Sequence, residues 1–72
     1  MATHPFEKMF EKALRKSTSE ENLVVEEAEA LYKKGYSPDE IHSVLIHLRD
    51  ALINDADVEL VSEAVDSIDR YL

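Results

Sequence analysis

The sequence predicts an all-α fold of four short helices, packed as a small bundle or an orthogonal array. Apolar residues recur every three or four positions through four segments, which is the spacing of a helix with one buried face. No segment alternates apolar and polar residues in the way of a half-buried strand. Turn and capping residues separate the four segments. Because 72 residues leave room for one domain, residues 1–72 are expected to fold as a single unit.

The first helix is predicted to run from about Pro5 to Lys16. Thr3 or His4 is expected to cap it, with Pro5 in the first turn, where its missing N–H costs nothing. One face carries the apolar residues of this segment, which are Phe6, Met9, Phe10, Ala13 and Leu14. Because both phenylalanines of the chain lie here, this helix should supply much of the aromatic core.

The second helix is predicted to follow three consecutive hydroxyl residues and to end near Lys34. Ser17 with Glu20, or Thr18 with Glu21, would form a capping box at its start. Its apolar side is formed by Val24, Val25, Ala28, Leu31 and Tyr32. The opposite side, which is expected to face solvent, carries the charged residues Glu26, Glu29 and Lys33.

The clearest local signal lies between the second and third helices. Gly35 is the only glycine, and it stands where a glycine in the left-handed conformation commonly ends a helix. Ser37 is then the predicted N-cap, Pro38 the first helical residue and Glu40 the partner of Ser37 in a capping box. These residues predict a helical corner, followed by a third helix that runs to about Ile53.

The third helix is predicted to have two apolar faces. The face toward the core consists of Ile41, Val44, Leu45, Leu48, Ala51 and Leu52. Ile46 and Ile53 lie on a different face, beside His42 and Arg49. An apolar centre with a polar rim is the usual anatomy of an interface, so these four residues are expected to form one. Because small domains often gain stability by oligomerising, the expected partner is a second copy in a homodimer with a two-fold axis.

A fourth helix is predicted from about Val58 to Leu72, after a capping turn at residues 54–57. Its apolar residues step by three and four positions and are Val58, Val61, Val65, Ile68 and Leu72. The opposite face is polar and carries Glu59, Ser62, Glu63, Asp66, Asp69 and Arg70. This pattern predicts one face on the core and one in solvent.

The formal net charge of −8 is unevenly spread along the chain. Four basic and two acidic residues precede Ser17, whereas four basic and fourteen acidic residues lie from Ser17 onward. Because an acidic body repels phosphate backbones, nucleic acid is not an expected partner, and a basic protein surface is favoured.

Cysteine, a membrane-length apolar run and a secretory leader pattern are all missing from the sequence. The lack of cysteine removes disulfides and thiolate metal sites, and it is typical of a reducing compartment. These features predict a cytoplasmic protein with no membrane partner.

Two patterns resemble metal sites without meeting their requirements. Asp55, Asp57 and Glu59 mimic the opening of a calcium loop, but Leu60 stands where that loop needs glycine. Helix capping explains these acidic residues better. The two mid-chain histidines are five positions apart and so point to different faces of a helix. No metal or cofactor is therefore expected.

The serines do not have the sequence setting of catalytic nucleophiles. Ser37 and Ser67 lack the strand–turn–helix context of a nucleophile elbow, and no carboxylate pair is placed in a cleft by the pattern. Asp66-Ser67-Ile68 resembles the serine motif of acyl carrier proteins. In that family the motif opens the second helix at mid-chain, whereas here it lies near the C-terminus. The chain is therefore expected not to be an enzyme.

The helical corner resembles parts of two known families. The run from Leu31 to Ile41 resembles the first part of some helix-turn-helix DNA-binding domains. Those domains need a further turn and then a recognition helix, whereas here the helical pattern continues unbroken through residues 44–53. The same run with residues 54–72 resembles a ubiquitin-associated three-helix domain, which has a Gly-Tyr or Gly-Phe loop after its first helix. Lys34 stands where that family usually has methionine, so the resemblance does not extend to its binding loop.

These observations predict a small acidic, non-enzymatic protein–protein interaction module, with self-association as one form of its activity. The alternative is an acidic inhibitor that imitates nucleic acid at a basic site of a partner protein. Carboxylates clustered on one face would favour the inhibitor. An enzyme would instead need a deep pocket with converging polar groups.

Overall fold

The structure is a computed structural model that describes residues 5–18 and 20–72. The chain forms four helices, which are α1 (Pro5–Lys16), α2 (Leu23–Lys33), α3 (Pro38–Ala51) and α4 (Asp55–Asp69). The described residues contain no strand, and the prediction of an all-α fold is confirmed. None of these helices is long and apolar enough to cross a membrane. The expected caps of α1, Thr3 and His4, lie outside the described residues.

The four helices form an array that is two helices thick, and α4 makes the most extensive contacts in it. The most extensive contacts join α4 to α3 and α4 to α2, whereas α1 lies mainly against α2 and meets α4 sparsely. The Cα atoms span 32 × 29 × 17 Å. Because neighbouring helix axes lie about 8–10 Å apart, the shortest dimension holds two helices. Each of the four helices therefore keeps one face toward solvent.

Apolar residues from all four helices form the core. The buried ones are Phe6, Phe10, Val24, Ala28, Leu31, Ile41, Val44, Leu45, Leu48, Val61, Ala64, Val65 and Ile68. Phe10 is completely buried, and the ring of Phe6 meets the ring of Tyr36 edge-on at a centroid distance of 4.9 Å. Because α1 contributes two buried rings, it is part of the core.

The corner between α2 and α3 forms as expected. Gly35 has φ +102°, and the N–H of Gly35 donates to the carbonyl of Tyr32 at 3.0 Å. The N–H of Tyr36 donates to the carbonyl of Leu31 at 3.3 Å, which completes the hydrogen-bond pattern of a Schellman motif. A Cβ at position 35 would meet nothing within 4 Å. Glycine is therefore favoured here by backbone conformation, not by lack of space.

The start of α3 departs from the predicted capping box. Ser37 is the N-cap with an extended backbone, and Pro38 is the first helical residue. The Ser37 side chain, however, makes no capping hydrogen bond. Helix initiation relies instead on the Ser37 carbonyl, which accepts the N–H of Ile41 at 3.1 Å, and on the fixed φ of Pro38.

The start of α2 lies later than predicted. The N-cap is Asn22, whose Oδ1 accepts the N–H groups of Val24 and Val25 at 3.0 and 3.3 Å. The Asn22 side-chain amide also donates to the carbonyl of Leu60 in α4 at 2.9 Å. The predicted capping boxes at Ser17 and Thr18 are therefore wrong, because an asparagine amide can cap the helix and reach α4 at the same time.

The two hydroxyls stabilise the connection between α1 and α2 instead. Ser17 Oγ donates to the carbonyl of Ala13 at 2.9 Å and accepts the N–H of Leu23 at 3.0 Å. Thr18 Oγ1 accepts the N–H groups of residues 20 and 21 in a local turn. Ser17 thus joins the end of α1 to the first residue of α2.

The boundary between α3 and α4 also differs from the prediction. α3 ends at Ala51, which is exposed, and α4 begins at Asp55, three residues earlier than predicted. Asn54 Oδ1 accepts the N–H groups of Ala56 and Asp57 at 2.8 and 3.4 Å. Asn54 is therefore the N-cap, and α4 begins at the next residue. The aspartates in the first turn interact favourably with the positive end of the helix dipole.

Candidate functional site

The two isoleucines predicted at the centre of an interface have different environments. Because α3 ends at Ala51, Ile53 lies in the linker, where 95% of its surface is exposed. Ile46 lies on α3, is half-buried and packs against the core. The prediction that Ile46 and Ile53 share one face of the third helix is therefore wrong, because Ile53 is not in the helix. Their role in an interface stays a prediction.

The two polar residues of the predicted interface, His42 and Arg49, are both half-buried on α3. His42 Nε2 lies 3.9 Å from Asp69 Oδ1 near the end of α4. The Asp69 side chain is 67% exposed. A solvated pair at this distance contributes little to stability and requires a protonated histidine.

A polar cluster that the sequence analysis missed joins α2 to the C-terminal end of α4. Ser67 Oγ donates to Glu29 Oε2 at 2.5 Å, and the hydroxyl of Tyr71 donates to Glu29 Oε1 at 3.2 Å. Ser67 is only 8% exposed. Each carboxylate oxygen of Glu29 therefore has its own hydroxyl donor.

The predicted position of Glu29 on the solvent-facing side of α2 is wrong. Glu29 follows Val25 by four positions and precedes Tyr32 by three, so it shares their face of the helix. This spacing indicates a half-buried position, but the charge of Glu29 favoured the other side of the helix in the prediction. The Tyr32 ring also stacks on the Tyr71 ring, with 4.0 Å between centroids and 13° between planes.

Hydrogen bonding sets the acidity of this cluster. The hydrogen bond from Ser67 lowers the pKa of Glu29; burial opposes this effect, and the Tyr71 hydroxyl and the charges of Arg70 and Lys33 add to it. Burial and the adjacent Glu29 carboxylate raise the pKa of Tyr71. Glu29 is therefore held ionised, and Tyr71 is held protonated.

The chemistry of this cluster suits a structural link. A carboxylate with a lowered pKa is a weaker base, so Glu29 is poorly suited to take the Ser67 proton in a reaction. Ser67 is also too buried to meet a substrate without movement of α2 or α4. The cluster closes the junction between these two helices.

A second feature, which we call the acidic groove, lies between the C-terminal half of α1 and the start of α4. Its larger part has a volume of about 420 Å³, and its smaller part has a volume of about 220 Å³. The two parts share Leu14 and Asp57. The apolar residues of its lining are Leu14, Leu52, Ala56 and Leu60. The charged residues of its lining are Glu11, Asp57, Glu59, Glu63 and Arg15.

The opposite side of α1 forms a groove of similar size with α2, which we call the balanced groove. Its volume is about 480 Å³, and its apolar lining includes Met9 and Leu23. Its charged residues are Lys12, Lys16, Glu26 and Glu27. Two cations thus offset two carboxylates here, whereas four carboxylates face one guanidinium in the acidic groove.

An acidic stripe of exposed carboxylates runs along the outside of α4. Its members are three or four positions apart and are Asp55, Glu59, Glu63, Asp66 and Asp69. No basic residue lies between positions 55 and 69. At 1.5 Å per residue the stripe spans about 21 Å, and two of its members line the acidic groove.

Within residues 5–18 and 20–72, no group of three or more histidine, aspartate or glutamate side chains stands close enough to hold a metal ion. Asp55 and Asp57 lie in the first turn of α4, behind the Asn54 cap. The calcium-loop pattern is therefore part of a helix, and the expectation that no metal is bound stays a prediction.

No family model, curated protein or solved structure matches this chain. The exposed and buried side chains described above are therefore the basis for a functional proposal.

Proposed function

We propose that this chain is a small acidic, non-enzymatic protein–protein interaction module. The observation that carries the proposal is Ile53, which is 95% exposed in the linker beside the acidic groove. Leu52, directly before it, lines the smaller part of the groove. Large apolar side chains that are exposed together with an apolar-floored groove are typical of binding surfaces.

The surroundings of Ile53 favour a fixed binding position. The linker has only residues 52–54, and Asn54 is held by its two capping hydrogen bonds. The other exposed large apolar residues are Tyr36 and Leu72, at 46% and 54%. The Tyr36 ring contacts Phe6 inside the fold. Ile53 is thus the least covered of the three.

Two features support the non-enzymatic part of the proposal. The lowered pKa of Glu29 makes it a weak base beside the buried Ser67. His42 pairs only distantly with the exposed Asp69. We also propose a cytoplasmic location, which the lack of cysteine favours, and expect no cofactor.

Self-association is one form that this function can take. A homodimer would place Ile53 of each copy near the two-fold axis, with His42, Ile46 and Arg49 of α3 at its edge. Sedimentation velocity over a wide concentration range tests this form. Self-association is supported if the sedimenting mass of the parent rises with concentration while Ile53→Ser stays a monomer. If the parent is a monomer at every concentration, self-association is ruled out and the proposed partner is another protein.

The experiment for the general function is affinity capture with quantitative mass spectrometry on three forms of the intact chain. Ile53→Ser is the test variant, and Leu72→Ser is the matched control at the other end of α4. Both changes lie at exposed sites, so both variants should fold. Loss of a captured protein with Ile53→Ser alone supports the proposal. A capture profile that is unchanged by Ile53→Ser contradicts it.

The acidic stripe on α4 favours the second candidate, an inhibitor that imitates nucleic acid. Five exposed carboxylates lie along one face of one helix, as this function requires. A competition assay against duplex DNA on a basic protein tests it. Imitation by the whole stripe is supported if the chain displaces DNA and if Glu59→Gln/Glu63→Gln and Asp66→Asn/Asp69→Asn weaken that displacement equally.

A further inference from the structure

We propose that the acidic groove binds a basic amphipathic helix of a partner protein. Apolar side chains of that helix would lie on the groove floor, and its lysines and arginines would meet the carboxylates of the rim. This inference rests on the proposed interaction function and names the surface and the chemistry of the partner. Helix-in-groove binding is a common mode of recognition between proteins.

The apolar floor provides the first argument. Leu14 from α1 and Leu60 from α4 are half-buried, and so is Leu52 from the linker. Ala56, which is exposed, adds a small apolar side chain to the lining of the larger part. The larger part of the groove, about 420 Å³, lies within the usual range for binding pockets, and the smaller part extends it past Asp57. An elongated floor of this kind suits apolar side chains one helical turn apart.

Charge provides the second argument and determines the chemistry of the occupant. The rim carboxylates are Glu11, Asp57, Glu59 and Glu63, against the single guanidinium of Arg15. Glu59 and Glu63 are four positions apart, where like charges destabilise a helix. A cationic partner relieves this repulsion on binding. The balanced groove on the other side of α1 offers no such preference.

A second copy of this chain is a weaker candidate for the occupant. α1 has a net positive charge, with Lys8, Lys12, Arg15 and Lys16 exposed. Its apolar face, however, is committed to the core, since Phe10 is completely buried. The α1 helix of a folded second copy would therefore present cations without apolar anchors on the same helix. The favoured occupant is a partner helix that carries cations and apolar side chains on one surface.

The test begins with a random peptide library of about 14 residues, or roughly four helical turns, displayed on phage. Selection uses the intact chain at low salt, and enriched peptides are measured by fluorescence anisotropy. The expected peptides carry lysine and arginine together with apolar residues at spacings of three and four. Their affinity should fall as salt is raised, because rim charges are screened.

Two matched double variants locate the site. Glu59→Gln/Glu63→Gln removes two charges that line the groove, and Asp66→Asn/Asp69→Asn removes two from the same stripe outside it. Both variants lose like-charge repulsion, so both should stay folded. The groove variant should weaken peptide binding about five- to tenfold, and the control should change it less than about twofold.

The inference is overturned if selection yields no peptide, or only neutral or acidic peptides. It is also overturned if the two double variants weaken binding equally, because the effect then belongs to the whole stripe. A parent that sediments as a dimer and dissociates on Glu59→Gln/Glu63→Gln would make a second copy the occupant. If capture of a cellular partner depends on Ile53 while the groove variant leaves it unchanged, the proposed function stands and this inference fails.

Discussion

α4 meets α2 and α1 in two different ways. Along α2 the junction is closed by buried apolar residues, by Ser67 and Tyr71 donating to Glu29, and by Asn22 donating to the Leu60 carbonyl. Along α1 the contacts are sparse, and the acidic groove remains open. The carboxylates differ accordingly. Glu29 has a hydroxyl donor for each oxygen, whereas the four carboxylates that line the groove share it with one cation, Arg15.

This difference separates carboxylates that stabilise the fold from carboxylates that weaken it. A half-buried carboxylate with two hydroxyl donors holds two helices together. Exposed carboxylates spaced four apart on one helix repel each other. Retaining the second kind costs stability, which is understandable if a basic partner uses them. Four expected outcomes test the contrast, beginning with the largest effect.

Phe10→Ala should have the largest effect, because it removes a completely buried ring that fixes α1 as the wall of both grooves. We expect a loss of about 3–5 kcal/mol in the free energy of unfolding, which is a large part of the stability of so small a domain. Urea titration followed by circular dichroism measures it. Lys12→Ala, at an exposed position on the same helix, is the control and should lie within about 0.5 kcal/mol of the parent. A small loss with Phe10→Ala would mean that α1 is not firmly attached and that neither groove is a fixed feature.

Ser67→Ala should weaken the closed junction by about 1–2 kcal/mol, because Glu29 loses one of its two donors in a half-buried site. Ser43→Ala on α3 is an exposed control that should be neutral or slightly stabilising, since alanine is the better helix former. The double variant with Glu29→Gln should lose less than the sum of the single losses. Strict additivity would show that the hydrogen bond between Ser67 and Glu29 has no energetic role.

The pH dependence of stability should also come from the closed junction. The pKa of Glu29 is lower in the folded chain than its ordinary value, so folding favours the ionised form. Its contribution is fully present above the ordinary carboxyl pKa and is lost as pH falls through the lowered pKa of the folded state. Urea titrations of the parent and Glu29→Gln over the acid range measure this loss. The difference between them should shrink with decreasing pH, and a constant difference would contradict the role given to the charge.

Glu59→Gln/Glu63→Gln should have the smallest effect on stability and the opposite sign. Removing like charges four positions apart should stabilise the chain by a few tenths of a kcal/mol. The gain should disappear in high salt, because screening already removes the repulsion there. Thermal melts at low and high salt measure both effects. A loss of more than about 1 kcal/mol would mean that these carboxylates support the fold, and the contrast between the two junctions would fail.

The sequence predicted the helices and the corner because those features depend on local chemistry. Gly35 permits a positive φ because it has no Cβ, and the ring of Pro38 fixes φ, so both positions could be read without knowledge of the fold. The start of α2 was harder. Ser17, Thr18 and Asn22 all can cap a helix, and the choice of Asn22 depends on the Leu60 carbonyl of α4.

The candidate site was less accessible to sequence reasoning. Glu29 was assigned to solvent because of its charge, although its spacing from Val25 and Tyr32 placed it on their face. The acidic groove depends on how α1 crosses α4, and residues as far apart as Glu11 and Glu63 line it. No local pattern determines that crossing. Ile53 was predicted on a second face of the third helix, whereas α3 ends at Ala51 and leaves Ile53 exposed in the linker; its role in an interface stays a prediction.

The Asn22 side chain couples the first turn of α2 to a part of the chain that is synthesised much later. Its Oδ1 accepts the N–H groups of Val24 and Val25, while its amide is held by the carbonyl of Leu60, 38 residues away. When α4 separates from α2, Asn22 loses the bond that orients it. Protection of the Val24 and Val25 amides from hydrogen exchange is therefore a local readout of whether α4 is docked.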